Sequence, residues 1–379
     1  MNKRPLPVSV MLNRTASFIR HLTFGSVLTA CLLFSMSPAT FAQSGSRLTP
    51  YVPQPVAPPP KDAKYVLPDG SIYIAGNDLM VSYMERLNEL FQKSHPGFKF
   101  KMDLYTSGLS VSGINSGKTA FGPIARDTSF QEVNAFSSRH GYPPTDIQVG
   151  WDNNPDPEHV PPGKFPPGVW VNVKNPTPWL SMADVAAIFT TGSGKGDYTF
   201  WGQIYGHEGF IGGNGADYSK REIHVYLPKL ERLPILSTMR FQLGGMPWTR
   251  RAEHLPGVED VINAVANDPF GIGLIGWWPT DEGWDRQMEL GDKIKFLPIS
   301  IDKHSKPSRG ILGDVHPLAG GLRFMIDKAP GKPLDPWIKE YMRLALSKEG
   351  QELITSMNPT TGFLPLDPKD VARELAKLD

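Results

Sequence analysis

Residues 70–105 read GSIYIAGNDLMVSYMERLNELFQKSHPGFKFKMDLY, and this stretch decides the fold class. Ile72 and Ile74 lie in a short apolar run that stops at Gly76, as a strand would. Asn77 or Asp78 then offers a short side-chain oxygen to cap a helix. Met80, Tyr83, Met84, Leu87, Leu90 and Phe91 recur at helical spacing, which predicts one apolar face. Pro96-Gly97 ends that helix. FKFKMDLY (98–105) alternates like a second strand. Strand, helix and strand in this order predict a βαβ unit and hence an α/β protein.

The rest of the chain repeats the theme. VWVNV (169–173), EIHVYL (222–227) and LRFMID (322–327) read as strands, and MADVAAIF (182–189) as a helix. STMRFQLG (237–244) opens a further helix. GIGLIGWW (271–278) is an apolar run between glycines, either a buried strand or a crossing segment. DPWIKEYMRLALSKEGQELITSM (335–357) is the longest helical stretch, with Asp335 as cap and Pro336 at the favoured first position. No internal repeat is visible. The 379 residues are 40% apolar and 20% charged, enough for one large domain or two lobes. A net charge of +1 gives no basis for nucleic-acid binding or for an anionic membrane surface.

The first 42 residues read as an export signal. Lys3, Arg4, Arg14 and Arg20 form a basic region without an acid, and FGSVLTACLLFSM (24–36) is an apolar core too short to span a bilayer. SPATFA places cleavage after Ala42. The single cysteine, Cys31, lies inside this signal. It is either discarded with it or, if LTAC (28–31) acts as a lipobox, lipidated as an anchor. Residues 43–69 include TPYVPQPVAPPPKD, whose prolines predict an extended, disordered tail.

Motifs with catalytic chemistry are missing from the sequence. GINSGKT (113–119) falls one residue short of a P-loop, and AFGPIA follows it where a helix is required. Its ordinary reading is a helix ending at Ser116-Gly117. GSGKGD (192–197) reads as a flexible turn. DNNPDPEH (152–159) lacks the ligand periodicity of a calcium loop. There is no HExxH, GxSxG or CxxC, so neither an enzyme, a metal nor a cofactor is implied. What remains are strand-to-helix turns rich in Asn, Asp, Ser and Arg, and unpaired N–H groups at helix starts attract anions.

In order of segments the chain resembles the phosphate-binding proteins of bacterial ABC importers, within the type 2 periplasmic binding protein superfamily. The resemblance spans about Gly70 to Leu366. It is most specific in DKAPGKPLDPWIKEYMRLALSKEGQELI (327–354) followed by GFLPL (362–366); HPGFKF, FGPIAR and IFTTG…FWGQI also fit in order. The resemblance implies two α/β lobes, each a mixed β-sheet flanked by helices, joined by a hinge and closing on the ligand. Residues 70–171 and 271–379 would form the first lobe and 172–270 the second. It implies inorganic phosphate or another small anion as ligand, an ABC permease as partner, a periplasmic location and a monomer. By the same resemblance, the ligand contacts fall on Asn77, Asp78, Ser107, Gly108, Arg126, Arg232, Ser237 and Thr238. Three positions where the family carries a hydroxyl hold Leu79, Ala125 and Leu236 instead. Losing three charge-assisted bonds would cost on the order of 4–9 kcal/mol if nothing compensates. A second expectation therefore stands beside the first: a diverged binding module that has exchanged phosphate for another ligand or a protein partner. A phosphate-ester hydrolase has no nucleophile, base and metal set behind it.

Overall fold

The computed structural model describes residues 47–152, 168–193, 196–204, 218–229, 240, 242–275, 292–308 and 315–379. The expected signal lies outside these residues. From Ser46 to Asp379 the chain is one compact unit, built as two lobes that each have their own sheet and their own hydrophobic core.

The first lobe begins with the expected βαβ unit. β1 (Ile72–Gly76) and β2 (Phe100–Leu104) pair in parallel, with Ile72 opposite Phe100 and Gly76 opposite Leu104. Between them runs α1 (Val81–Ser94), preceded by a single 3-10 turn at Asp78–Met80. Met80, Tyr83, Met84, Leu87 and Phe91 are all fully buried, and Leu90, partly buried, packs against the same core. Then come α2 (Ser107–Ser116), β3 (Gly122–Ile124), α3 (Phe130–His140) and β4 (Thr145–Asp152). α2 ends at Gly117 with φ 70°, a left-handed cap that suits glycine. GINSGKT is thus a helix terminus.

The second lobe is a five-stranded mixed sheet. Its strands are β5 (Gly168–Asn172), β7 (His224–Pro228), β8 (Glu253–Leu255), β9 (Gly271–Ile275) and β10 (Ile294–Phe296), in the order β10-β5-β9-β7-β8. A short pair, β6 (Leu180–Ser181) with β11 (Ile299–Ser300), lies beside it. α4 (Met182–Phe189) and α5 (Val258–Asn267) pack on these strands. β9 settles the reading of GIGLIGWW. Its five residues are buried and pair with both β5 and β7, so it is the central strand of this sheet and not yet the return to the first lobe. That return comes with β12 (Gly320–Ile326).

β12 completes an antiparallel sheet of order β13-β4-β12-β3, where β13 is Phe363–Pro365. The helical stretch expected over 335–357 is two helices, α6 (Pro336–Ala345) and α7 (Lys348–Thr361), with α8 (Pro368–Ala376) following β13. Gly350 explains the break. A Cβ there would lie 2.3 Å from the Leu344 carbonyl oxygen and 2.4 Å from that of Ala345. Only glycine lets α7 start so close beneath the end of α6. The next residue, Gln351, is buried. Its amide donates to the carbonyls of Val149 and Ala345, both at 2.9 Å, and accepts from the Leu366 N–H at 2.8 Å. The SKEGQE and GFLPL motifs are therefore the staple that joins β4, α6, α7 and the end of β13.

The proline-rich segment departs from the disordered tail expected for 43–69. Within 47–69 it is extended but pinned along the first lobe. The Tyr51 hydroxyl and the Gln54 N–H both donate to Glu340, at 2.8 Å each, and the Tyr51 N–H donates to Glu349 at 2.6 Å. Tyr65 donates to Asp335 at 3.0 Å. Leu48, Tyr51, Val56 and Tyr65 pack on the core. Prolines remove donors and fix φ, which favours an extended course, while the aromatic and aliphatic residues between them supply the contacts.

Candidate functional site

Three turns of the first lobe meet where β1, β2 and β3 end and the following helices begin. Gly76 makes their approach possible. A Cβ on it would lie 2.4 Å from Pro123 Cγ and 2.8 Å from the Pro123 carbonyl oxygen. With no side chain in the way, the Asn77 N–H donates to Pro123 O at 3.0 Å, and the N–H groups of Tyr105 and Thr106 donate to Gly76 O at 2.8 and 2.9 Å. The Ser110 hydroxyl also donates to Pro123 O, at 2.6 Å. One carbonyl at the end of β1 and one on β3 thus tie the turns together.

Asn77 joins the first turn to the second. Its Oδ1 accepts the Leu79 N–H at 3.0 Å, which caps the 3-10 turn, and its Nδ2 donates to Ser107 Oγ at 3.1 Å. Ser107 is buried, the first residue of α2. Because its oxygen accepts from Asn77, its own hydroxyl proton is left to donate, and it has no acceptor among the described residues. Thr106 caps α2 from the preceding position. Gly108 and Asp78 are exposed. Leu79, at an expected hydroxyl position, packs against the hydrophobic core.

The third turn holds Arg126. Ala125 before it is buried and offers no donor side chain. Arg126 is engaged in a way the sequence reading did not anticipate. Its Nη1 and Nη2 donate to the two oxygens of Glu132 at 2.8 and 2.6 Å, and Nη1 also donates to the Asp127 carbonyl at 3.0 Å. Glu132 in turn accepts the Ser129 N–H and hydroxyl at 2.8 and 2.9 Å, the capping box of α3. Burial pushes the Glu132 carboxyl up, but the guanidinium and the Ser129 donors more than offset this and hold it below the usual carboxylate value. The pair is neutral as a unit and fixes the guanidinium in place. Nε and one Nη2 proton have no acceptor among the described residues, so the arginine retains two donors. The S-x-x-E spacing of Ser129 and Glu132 was a readable sign of this partner.

Asp127, next in sequence, was also missed. Its carboxylate accepts from Arg323 of β12 at 2.8 Å (Nε) and 2.7 Å (Nη2), from the Gly321 N–H at 3.3 Å, and from Gln242 at 3.0 Å. No sequence pattern links these positions. Arg232, Leu236, Ser237 and Thr238, expected to supply the second lobe's half of the site, lie outside the described residues. Among the described residues no group of three His, Cys, Asp or Glu side chains could hold a metal ion. No helix of the described residues is long and apolar enough to cross a membrane. Two surface grooves, of about 550 and 490 Å3, lie away from the turns, one between Pro53–Pro58 and His95–Phe98, the other beside Pro143 and Asp379.

No protein-family model matches the chain. The phosphate-binding protein PstS of Pseudomonas aeruginosa is 23% identical over 318 residues, covering 82% of this chain and 87% of that protein, in each of two strains. The chain is thus similar to PstS over most of both lengths. Solved structures that align with it include an ABC-type phosphate transport receptor from Vibrio cholerae, at 15% identity and a TM-score of 0.44. That alignment covers 78% of this chain and 100% of the other. The tungstate-binding protein TupA from Desulfovibrio alaskensis G20 aligns at 11% identity and a TM-score of 0.44, over 78% and 98% of the two chains.

Proposed function

We propose that this chain is an exported solute-binding protein that captures phosphate, or a related oxyanion, between its two lobes and delivers it to an ABC importer. The observation that carries the reading is the convergence of the turns at Asn77, Ser107 and Arg126. They are bound to one another through Gly76 and Pro123 and leave the Ser107 hydroxyl and two Arg126 N–H groups without acceptors among the described residues. A multiply charged anion must have its oxygens satisfied when it leaves water, and fixed donors do this at little cost in reorganisation. The sequence similarity to PstS over most of both chains supports the same class of ligand. The complete ligand set proposed is Asn77, Asp78, Ser107, Gly108, Arg126, Arg232, Ser237 and Thr238. The mature chain works as a periplasmic monomer, binds without catalysis and presents its closed form to a permease. Residues 1–42 are the export signal.

Thermal unfolding of the phosphate-stripped protein with a panel of oxyanions tests the ligand class. Phosphate should raise the transition, sulfate and tungstate should do so less, and Ser107→Ala should weaken the phosphate effect by roughly 10- to 100-fold in concentration. Stabilisation by none of the anions would overturn the reading and leave a binding module for another partner.

A further inference from the structure

We propose that Gln242 and Asp127 form a latch between the lobes that holds the closed conformation and so helps to set the affinity for the anion. The link to affinity rests on the function proposed above; the latch itself does not.

Gln242 follows β7 in the second lobe, and Leu243 beside it is part of that lobe's core. Its side-chain amide leaves its own lobe. Nε2 donates to Asp127 Oδ2 at 3.0 Å and to the Ala319 carbonyl at 3.2 Å. Both partners are acceptors, so only the NH2 group can face them, and the orientation of the amide is fixed. The two acceptors belong to different parts of the closing machinery. Asp127 is in the first lobe, directly after Arg126. Ala319 sits at the crossing itself, between Leu318, which packs in the second lobe's core, and β12 of the first lobe.

Asp127 is built to receive this contact. Arg323 and the Gly321 N–H bind its Oδ1, which turns Oδ2 toward Gln242. Arg126 grips the same residue by its backbone carbonyl at 3.0 Å. A rotation that parts the lobes would therefore break the Gln242 bonds while leaving the Asp127–Arg323 pair whole. The minor state of a two-state protein is commonly populated at roughly 0.1–10%, so one hydrogen bond to a carboxylate, worth roughly 10- to 100-fold in an equilibrium, is large enough to shift the balance. Ligand affinity scales with the population of the competent state, so loss of the latch lowers it by the same factor.

The test uses the full mature chain without phosphate, with its radius of gyration measured by small-angle X-ray scattering, and then its phosphate affinity by calorimetry. Gln242→Ala and Gln242→Glu should both expand the phosphate-free protein and weaken phosphate binding about tenfold or more, the glutamate variant most because it faces Asp127. Gln242→Asn, which keeps the amide but withdraws it by one methylene, serves in place of alanine if that variant fails to fold. Unchanged dimensions in the variants would overturn the latch. If the wild-type chain does not bind phosphate, the functional reading fails, yet expansion on substitution still supports the latch and its absence still refutes it.

Discussion

Glu132→Gln is the substitution that reports best on how the anion site is prepared. The carboxylate takes two bonds from Arg126, at 2.6 and 2.8 Å, and two from Ser129. A glutamine can keep one oxygen but turns an NH2 group toward a donor. The Arg126 and Glu132 side chains are 11% and 17% exposed. The cost therefore lies between that of an exposed pair, below about 1 kcal/mol, and that of a broken buried pair, about 3–5 kcal/mol. We expect a loss of about 2–3 kcal/mol in urea unfolding at pH 7, followed by tryptophan fluorescence. The pH dependence supplies a second check. The native carboxyl lies below its ordinary value of 4.5, so the unfolded chain takes up the proton first as pH falls. The stabilisation is complete above about pH 4.5 and is lost as pH drops through the lowered native value. Glu132→Gln should lack this part of the acid dependence. Stability within about 0.5 kcal/mol of wild type, or an unaltered acid profile, would refute the argument that Glu132 holds Arg126.

Two further perturbations probe the frame. Tyr51→Phe removes one of the donors to Glu340, which is 2% exposed; urea unfolding should show a loss of about 1–2 kcal/mol, and no change would mean that the proline-rich strap is not part of the folded lobe. Burial pushes the His316 imidazole down to about 3 from 6.5, and its Nδ1 accepts the Leu318 N–H at 3.2 Å. The neutral ring is therefore the native form. Its contribution is whole above about pH 6.5 and falls away between there and pH 3, so a His316→Asn variant should show a flatter stability profile across that window in thermal melts.

How much was legible depends on how far apart the interacting residues stand. The α1 stripe and the strands on either side of it are local patterns, and the structure follows them. The Asn77 cap was visible too, though not its second bond to Ser107, thirty residues away. The division of residues 335–357 into two helices was hidden, because the clash that demands Gly350 is with carbonyls of the preceding helix and has no periodic signature. The prolines of the strap predict disorder, while the partners that hold it, Glu340 and Glu349, lie almost three hundred residues on. The motif that best marks the family, SKEGQE with GFLPL, proves to be a structural staple. It identifies the fold without bearing on the ligand, which helps explain why resemblance to the family was clear while three expected hydroxyls were absent. The resemblance points to Arg126 as a ligand residue, but nothing read from the sequence singles out Glu132 and Asp127, which engage it and its neighbour.

The central claim is that the turns at Asn77, Ser107 and Arg126 hold a phosphate-like anion. Calorimetric titration of the purified, phosphate-stripped mature chain with inorganic phosphate tests it most directly, with Arg126→Met alongside. The account predicts binding at micromolar concentration or below, weakened at least tenfold by the substitution. No heat and no saturation at millimolar phosphate in the wild-type protein would contradict it.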